Sequence, residues 1–287
     1  MTESEEVLAE KVQHLLCSPS YQIAYKDNDY IEGNACRSAR LALEYTKTEW
    51  TMNQLGIKST IIVFGSARTL PNDKAAQKLE EVRKLAAAAP QDFSLADKLK
   101  KAEKALEMSK YYEQAREFGR LVSEENQAHP IENDGQFEYV ICTGGGPGIM
   151  EAANRGAYEA DALNIGLNIK LPYEQRPNPY ISPPLCFQFH YFAIRKLHFL
   201  LRAKALVVFP GGYGTFDEMF EALTLRQTGR MQPIPVILFG EDFWRRCINF
   251  NVLVEDGVID RKDLELFYFT ESPQEAWNII KHFHENG

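Results

Sequence analysis

Short, continuous apolar runs recur along this chain, and most are followed by a turn and then by a segment with helical spacing of apolar positions. A run that is apolar throughout is typical of a parallel strand buried on both faces of a sheet. Strands that alternate with helices predict an α/β fold, here a Rossmann-like doubly wound parallel sheet with helices on both faces. The predicted strands are 59–64, 137–142, 164–169, 187–189, 205–209 and 234–239.

Helical segments precede and interrupt this predicted sheet. Residues 1–55 predict a helical N-terminal extension, and residues 56–287 predict the Rossmann-like domain. Within that domain, about residues 73–109 are rich in Lys, Glu, Ala and Leu and predict a helical insertion that is broken near Pro90. Further helices are predicted at 111–126, 151–160, 193–202, 243–255 and 272–284.

Two glycine-rich turns stand directly after predicted strands. The first, at 144–148, follows strand 137–142, and the second, at 210–215, follows strand 205–209. A helix that begins in such a turn presents free backbone N–H groups and the positive end of its dipole, which together bind phosphate. Ligands of doubly wound sheets bind at the carboxyl ends of the strands. We therefore expect both turns to line one crevice.

Neither turn matches the common nucleotide-binding fingerprints. A dinucleotide-binding G-x-G-x-x-G motif would need glycine at two positions that hold Ile149 and Asp217. No Gly-Lys-Ser or Gly-Lys-Thr of a Walker P-loop follows either turn. NAD-dependent redox chemistry and ATP hydrolysis are therefore poor interpretations. A tight turn without a ligand stays open as an alternative for 144–148.

A carboxylate, Glu218, follows the second turn and suggests chemistry on a phosphorylated small molecule. The spacing Thr215-x-x-Glu218 is also that of a capping box, in which Glu218 would bind the backbone N–H of Thr215. Arg195, before the motif, has a solvated position on a helix as its simplest interpretation. His190 and His198 lack the neighbouring partners of a catalytic histidine.

Composition limits the class of partner. A formal net charge of -8 argues against nucleic-acid binding, which needs a basic surface. The cysteines form no Cys-x-x-Cys pair, so we expect reduced thiols without a disulfide framework or a metal site. An acidic N-terminus without a signal segment, and the lack of an apolar run long enough to cross a bilayer, predict a cytoplasmic protein without membrane association.

Taken together, the motifs resemble those of the LOG family of nucleoside 5′-monophosphate phosphoribohydrolases, which includes cytokinin-activating enzymes. The resemblance covers about residues 57–239 and rests on the turn at 144–150, the pair Arg195-Lys196 and the PGGYGTFDE segment at 210–218. The long N-terminus and residues 73–109 resemble the longer bacterial members. The family is often labelled "possible lysine decarboxylase", but no lysine here has the setting typical of an internal aldimine with pyridoxal phosphate.

The resemblance implies roles for individual residues. Arg195 and Glu218 would be the catalytic residues. The backbone of the second turn, together with Thr215, would hold the 5′-phosphate, and the first turn would line the nucleotide pocket with Ser66, at the end of the first strand. The implied phosphate ligands are Gly211, Gly212, Gly214 and Thr215, and the implied pocket residues are Ser66, Gly145, Gly146, Gly148 and Met150.

The implied reaction is hydrolysis of the N-glycosidic bond of AMP or N6-modified AMP, with no cofactor and no metal. A homodimer or higher homo-oligomer is expected from the family, and residues 1–55 and 73–109 are candidates for an interface or an effector site. The alternative is a non-catalytic carrier of a nucleotide or of molybdenum cofactor with the same fold. The preferred base and the exact role of Arg195 stay open. The aromatic and proline residues of 173–192 are candidates to line the base.

Overall fold

The structure is a computed structural model that describes residues 4–127, 135–172 and 176–286. The chain forms two compact units, Met1–Lys47 and Thr48–Gly287. Helices Glu5–Leu16 (α1) and Asn28–Glu32 (α2) lie in the first unit, and helix Arg37–Gln54 (α3) continues into the second. The helical character predicted for the N-terminal extension is confirmed, whereas its predicted boundary after residue 55 stays a prediction.

Seven parallel strands form one sheet within the described part of the second unit. Because β1 lies between β2 and β5, the sheet grows from β1 in one direction and then from β5 in the other, as the predicted doubly wound fold requires. The topological switch point therefore lies between β1 and β5. The strands are Thr60–Phe64 (β1), Val140–Thr143 (β2), Asn164–Ile169 (β3), Cys186–Phe189 (β4), Ala203–Val208 (β5), Val236–Phe239 (β6) and Phe267–Thr270 (β7), in the order β4-β3-β2-β1-β5-β6-β7.

Helices cover both faces of this sheet. Within the described residues, no helix combines the length and apolar character needed to cross a bilayer. The helices of the second unit that follow β1 are Asn72–Ala88 (α4), Phe93–Gln127 (α5), Ile149–Glu159 (α6), Phe192–Leu201 (α7), Tyr213–Gln227 (α8), Glu241–Cys247 (α9), Phe250–Glu255 (α10) and Pro273–Glu285 (α11).

Strand β1 is buried at every position because both faces of the sheet are covered, and its residues after Thr60 are all apolar. Ile61 and Val63 of β1 face a core shared with α5, α6 and α11. The alternate residues Ile62 and Phe64 face a core shared with α7, α8 and α9, where the Phe64 ring lies 4.7 Å from that of Phe199 in an edge-on contact. Each such aliphatic side chain contributes about 1.5–3 kcal/mol through burial.

A close approach of α5 and α6 places the start of α6 against the sheet. A methyl group added at Gly156 would lie 1.9 Å from the carbonyl oxygen of Arg116, and one at Gly119 would lie 2.3 Å from that of Ala153. Only glycine allows the two backbones to come this close. The first glycine-rich turn is therefore held by helix packing as well as by its own sequence.

Three elements differ from the sequence prediction. The predicted helix 243–255 is two helices, because the chain at Ile248 is extended between α9 and α10. Strand β7 was not predicted, since four residues at a sheet edge give a weak pattern and its pairing with β6 defines it. The break near Pro90 is confirmed, but α5 then runs unbroken across residue 109 to Gln127.

Candidate active site

The loops after β1 and β5 are joined at the switch point. The backbone N–H of Ser66 donates to the carbonyl oxygen of Pro210 over 3.0 Å, and the carbonyl oxygen of Ser66 accepts from the N–H of Ile149 over 3.1 Å. Ser66 thus links the second glycine-rich turn to the first residue of α6. The structure brings the two predicted turns together at one edge of the sheet, as expected from the topology.

Gly145 and Gly148 of the first turn adopt the left-handed conformation, with φ of 73° and 72°. A methyl group at Gly148 would lie 2.3 Å from the carbonyl oxygen of Ser66, and one at Gly145 would lie 2.4 Å from Oδ1 of Asn168. Both conformation and space therefore require glycine at these two positions. Gly146 lies buried between them.

A network of buried asparagines supports the first turn. Asn154 of α6 accepts from Thr143 over 2.6 Å and donates to Asn164 of β3 over 2.9 Å. Asn178 donates to Asn154 over 3.0 Å and to the carbonyl oxygen of Gly146 over 3.2 Å. This network was not predicted, although an asparagine within the apolar strand 164–169 was a signal for it.

The second turn opens into α8, which begins at Tyr213. Gly212 is the N-cap residue and no side chain caps the helix, so the capping-box interpretation is wrong: Thr215 is the third residue of the helix. A methyl group at Gly212 or Gly214 would meet no atom within 4 Å, and Tyr213 is 97% exposed. The N-terminus of α8 therefore faces open space that can hold an anion.

Glu218 lies buried on the first turns of α8, at a residue exposure of 8%. Its Oε2 lies 3.7 Å from Nζ of Lys196, which lies 2.8 Å from a carboxylate oxygen of Asp217 and 2.8 Å from one of Glu221. Burial raises the pKa of Glu218 to about 7, against the opposing effect of the Lys196 charge. A carboxyl group with this pKa is suited to proton transfer near neutral pH.

Arg195 is half-buried and not solvated, which corrects the simplest interpretation of its sequence position. Its Nε donates to the carbonyl oxygen of Leu167 over 2.8 Å, and its guanidinium carbon lies 5.1 Å from the ring centre of Phe199. A methyl group at Gly144 would lie 2.6 Å from Nη2 of Arg195 and 2.9 Å from Sδ of Met150. Arg195 and Met150 therefore both border the first turn.

Burial lowers the pKa of Arg195, and the charge of Glu218 acts in the opposite direction. The guanidinium remains charged at any physiological pH. The two charges also act on each other's pKa, so the groups lie close enough to interact electrostatically. A cation, an acid and two glycine-rich turns thus lie at one edge of the sheet.

The two histidines have no place in this crevice. His198 is buried with Nδ1 3.3 Å from Oε1 of Glu49, and burial lowers its pKa, so it is a packed core residue. His190 is exposed. Of the aromatic and proline residues proposed to line the base, Tyr173 lies outside the described residues, and Phe187 and Phe189 are buried in the core.

Comparison with known proteins shows a similarity to one protein family. Residues 150–280 match a protein-family model described as "Possible lysine decarboxylase", the label often given to the LOG family. The resemblance to the LOG family is confirmed. The matched range contains Arg195 and the whole LOG-type segment 210–218, and it begins just after the first turn.

The chain is also similar to curated and structurally known proteins. It is 31% identical over 117 residues to the pyrimidine/purine nucleotide 5′-monophosphate nucleosidase of Escherichia coli strain K12, a match that covers 37% of this chain and 25% of that enzyme. The chain thus matches a quarter of the length of the curated relative. The same values hold for the nucleosidase of strain O157:H7.

Two solved structures with similar folds are molybdenum cofactor proteins. The binding protein of Rippkaea orientalis has a TM-score of 0.42 at 19% identity and covers 60% of this chain and 87% of its own. The carrier protein of Chlamydomonas reinhardtii has a TM-score of 0.45 at 19% identity. The match covers 80% of this chain and 99% of the carrier chain.

Proposed function

We propose that this protein hydrolyses the N-glycosidic bond of a nucleoside 5′-monophosphate, with AMP or N6-modified AMP as the first candidates. The observation that carries this proposal is the buried carboxylate of Glu218 on the helix whose uncapped N-terminus faces open space. Glu218 is the sixth residue of α8, about 8 Å along the helix from its start.

Glycosidic cleavage builds positive charge on the ribose ring, in an oxocarbenium-like transition state. In our proposal the ionised Glu218 stabilises that charge and accepts a proton from the attacking water. The C1′–N bond breaks as the C1′–O bond forms, the departing base takes up a proton from solvent, and Glu218 then releases its proton to solvent. The products are the free base and ribose 5-phosphate.

Arg195 is the second proposed catalytic residue. Its Nε is held by the carbonyl oxygen of Leu167, which leaves the outer guanidinium nitrogens directed along the first turn. We propose that these nitrogens contact the nucleotide beside Gly145, Gly146 and Gly148. A cation in this position stabilises negative charge on the departing base or orients the nucleotide toward Glu218.

The 5′-phosphate is proposed to bind Gly211, Gly212, Gly214 and Thr215, with Ser66 and Met150 bordering the nucleotide. Phosphate binding far from the bond that breaks orients the substrate and reduces the entropy that the reaction must lose. The open space before Gly212 and Gly214 supports this assignment.

Adenine release from AMP, followed by chromatography, tests the proposal. We expect release by the unsubstituted protein and none by Glu218→Gln, which should still bind AMP in calorimetry. Glu255→Gln, an exposed carboxylate at the end of α10, is the matched control and should retain activity. A panel of nucleoside monophosphates then identifies the base.

Binding of nucleotide monophosphates without any base release would contradict the enzymatic proposal and favour the carrier. Turnover unchanged in Glu218→Gln would remove Glu218 from the mechanism. A homodimer or higher assembly is proposed from the family resemblance, and light scattering during size-exclusion chromatography tests it.

A further inference from the structure

Lys196 lies at the centre of a cluster of carboxylates on α8. Its ammonium group is 2.8 Å from Oδ2 of Asp217 and 2.8 Å from Oε2 of Glu221, but 3.7 Å from Oε2 of Glu218. The two shorter contacts are charge-assisted hydrogen bonds, whereas the third is a close ion pair. The sequence motif indicates no role for this residue beyond its place in the Arg195-Lys196 pair.

The two carboxylates that bind Lys196 flank the third. Asp217 and Glu221 stand four residues apart on α8, one turn of the helix, and Glu218 stands between them in sequence. Their side chains are 59% and 33% exposed, whereas that of Glu218 is 9% exposed. The ammonium group therefore binds the outer carboxylates and leaves the inner one without a hydrogen bond from Lys196.

We infer that Lys196 is a positioning residue that neutralises Asp217 and Glu221 and so keeps the buried Glu218 carboxylate ionised and available to substrate. This inference rests on the proposed function, because it gives Lys196 a part in the same reaction. Lys196 acts through Glu218 and is not itself placed against the reacting atoms.

The charges that face Glu218 come from two helices and act in opposite directions. Lys196 and Arg195 of α7 lower the pKa of Glu218, while Glu221 and Asp217 of α8 raise it in addition to the effect of burial. Cys142 of β2 lies near Arg195, and burial raises the pKa of that thiol, so it remains neutral. Lys196 is thus the cation that offsets the two neighbouring carboxylates.

The Lys196 ammonium group keeps its charge in this position. Burial lowers the pKa of Lys196, but the hydrogen bonds to Asp217 and Glu221 outweigh that effect and the pKa lies above its usual value. Lys196 therefore stays charged through the whole range in which Glu218 titrates. Its charge is constant while that of Glu218 changes.

Carbon-13 NMR of glutamate side chains measures the titration of Glu218 directly, with the signal assigned by its loss in Glu218→Gln. In Lys196→Gln we expect the midpoint to rise by about one pH unit or more, the size of effect of a removed opposite charge at this distance. Lys196→Arg keeps the charge and should return the midpoint to that of the unsubstituted protein. An unchanged midpoint in Lys196→Gln would overturn the inference.

A second variant keeps the test decisive if Lys196→Gln does not fold, which circular dichroism reveals. Asp217→Asn combined with Glu221→Gln removes the two repelling carboxylates and should lower the midpoint of Glu218. Opposite shifts in the two variants are the signature of charge, since a merely structural role would move neither or move both alike. A raised or unmoved midpoint in the double variant would count against the inference.

The pH profile of base release separates this inference from the proposed function. The activity that Lys196→Gln loses near neutral pH should return at higher pH, because Glu218 ionises there. If the unsubstituted protein releases no base from any nucleotide, the proposed function fails, yet the NMR midpoints still decide the relationship between Lys196 and Glu218. If base is released and the midpoint does not move, only the role of Lys196 fails.

Discussion

The side chain of Thr215 occupies the space directly over Gly211: a methyl group added at Gly211 would lie 2.1 Å from Oγ1 of Thr215. The hydroxyl group is thereby held at the start of α8, where the phosphate is proposed to bind. We expect Gly211→Ala to displace Thr215, to destabilise the fold by about 1–3 kcal/mol and to weaken AMP binding. Urea unfolding and calorimetric titration measure the two effects.

Gly212→Ala is the matched control for this substitution. A methyl group there meets no protein atom within 4 Å, and the backbone, with φ of -100°, suits alanine. The fold should keep its stability while AMP binding weakens, because the methyl group occupies the space before the helix. Equal stability of the two variants would show that the contact between Gly211 and Thr215 is unimportant.

Base release should depend on pH through Glu218. With the pKa of Glu218 at about 7, kcat/KM should fall roughly tenfold for each pH unit below that value, since only the ionised carboxylate accepts a proton from water. The phosphate of AMP also titrates, with a second pKa near 6. Measuring AMP binding to Glu218→Gln over the same pH range separates the titration of the phosphate from that of Glu218. A rate that rises on acidification would assign Glu218 the role of an acid.

The same residue should destabilise the folded protein. Between pH 4.5 and about 7 the folded chain holds a proton on Glu218 that the unfolded chain has lost, so stability falls as the pH rises through this window. Above it, the ionised Glu218 destabilises the fold by about 3 kcal/mol. At about pH 8, Glu218→Gln should therefore unfold at a higher urea concentration than the unsubstituted protein. The difference between their urea midpoints should vanish near pH 4.5.

Loss of the asparagine network should destabilise the first turn. Asn154→Ala removes the buried hydrogen bonds that Asn154 forms with Thr143, Asn164 and Asn178, which costs about 2–4 kcal/mol of the free energy of unfolding. Asn278→Ala, on the exposed face of α11, should change it by less than about 0.5 kcal/mol. The urea midpoints of the two variants measure this difference in stability. Similar midpoints would contradict a structural role for the network.

Much of the fold follows from local pattern. The strands at 164–169 and 186–189 lie within a residue of their predicted positions because a continuous apolar run between turns leaves few alternatives. Strand β7 and the break between α9 and α10 were not predictable in this way. Both depend on contacts with distant parts of the chain: the pairing of β7 with β6, and the packing of Trp244 into the core.

The candidate site also contains residues that the sequence predicts and residues that only the structure identifies. Arg195, Thr215, Glu218 and the glycines of both turns were identified from motif and resemblance, because backbone conformation and phosphate chemistry restrict the residue types that serve there. The capping-box alternative for Glu218 could be rejected only once the start of α8 was known. The motif includes Lys196 without indicating its role, and no pattern pointed to Asn154, since both residues act through partners that are distant in the sequence.

The amino-acid sequence by itself determined the alternation of strands and helices, the two phosphate-type turns and the identity of the candidate acid and cation. These are properties of short segments, in which period, glycine and charge are local. The tertiary structure decided that the turns meet across Ser66, that Glu218 is buried and that Lys196 is shared among three carboxylates. Burial and charge pairing depend on which segments come together, and these two effects set the pKa of Glu218.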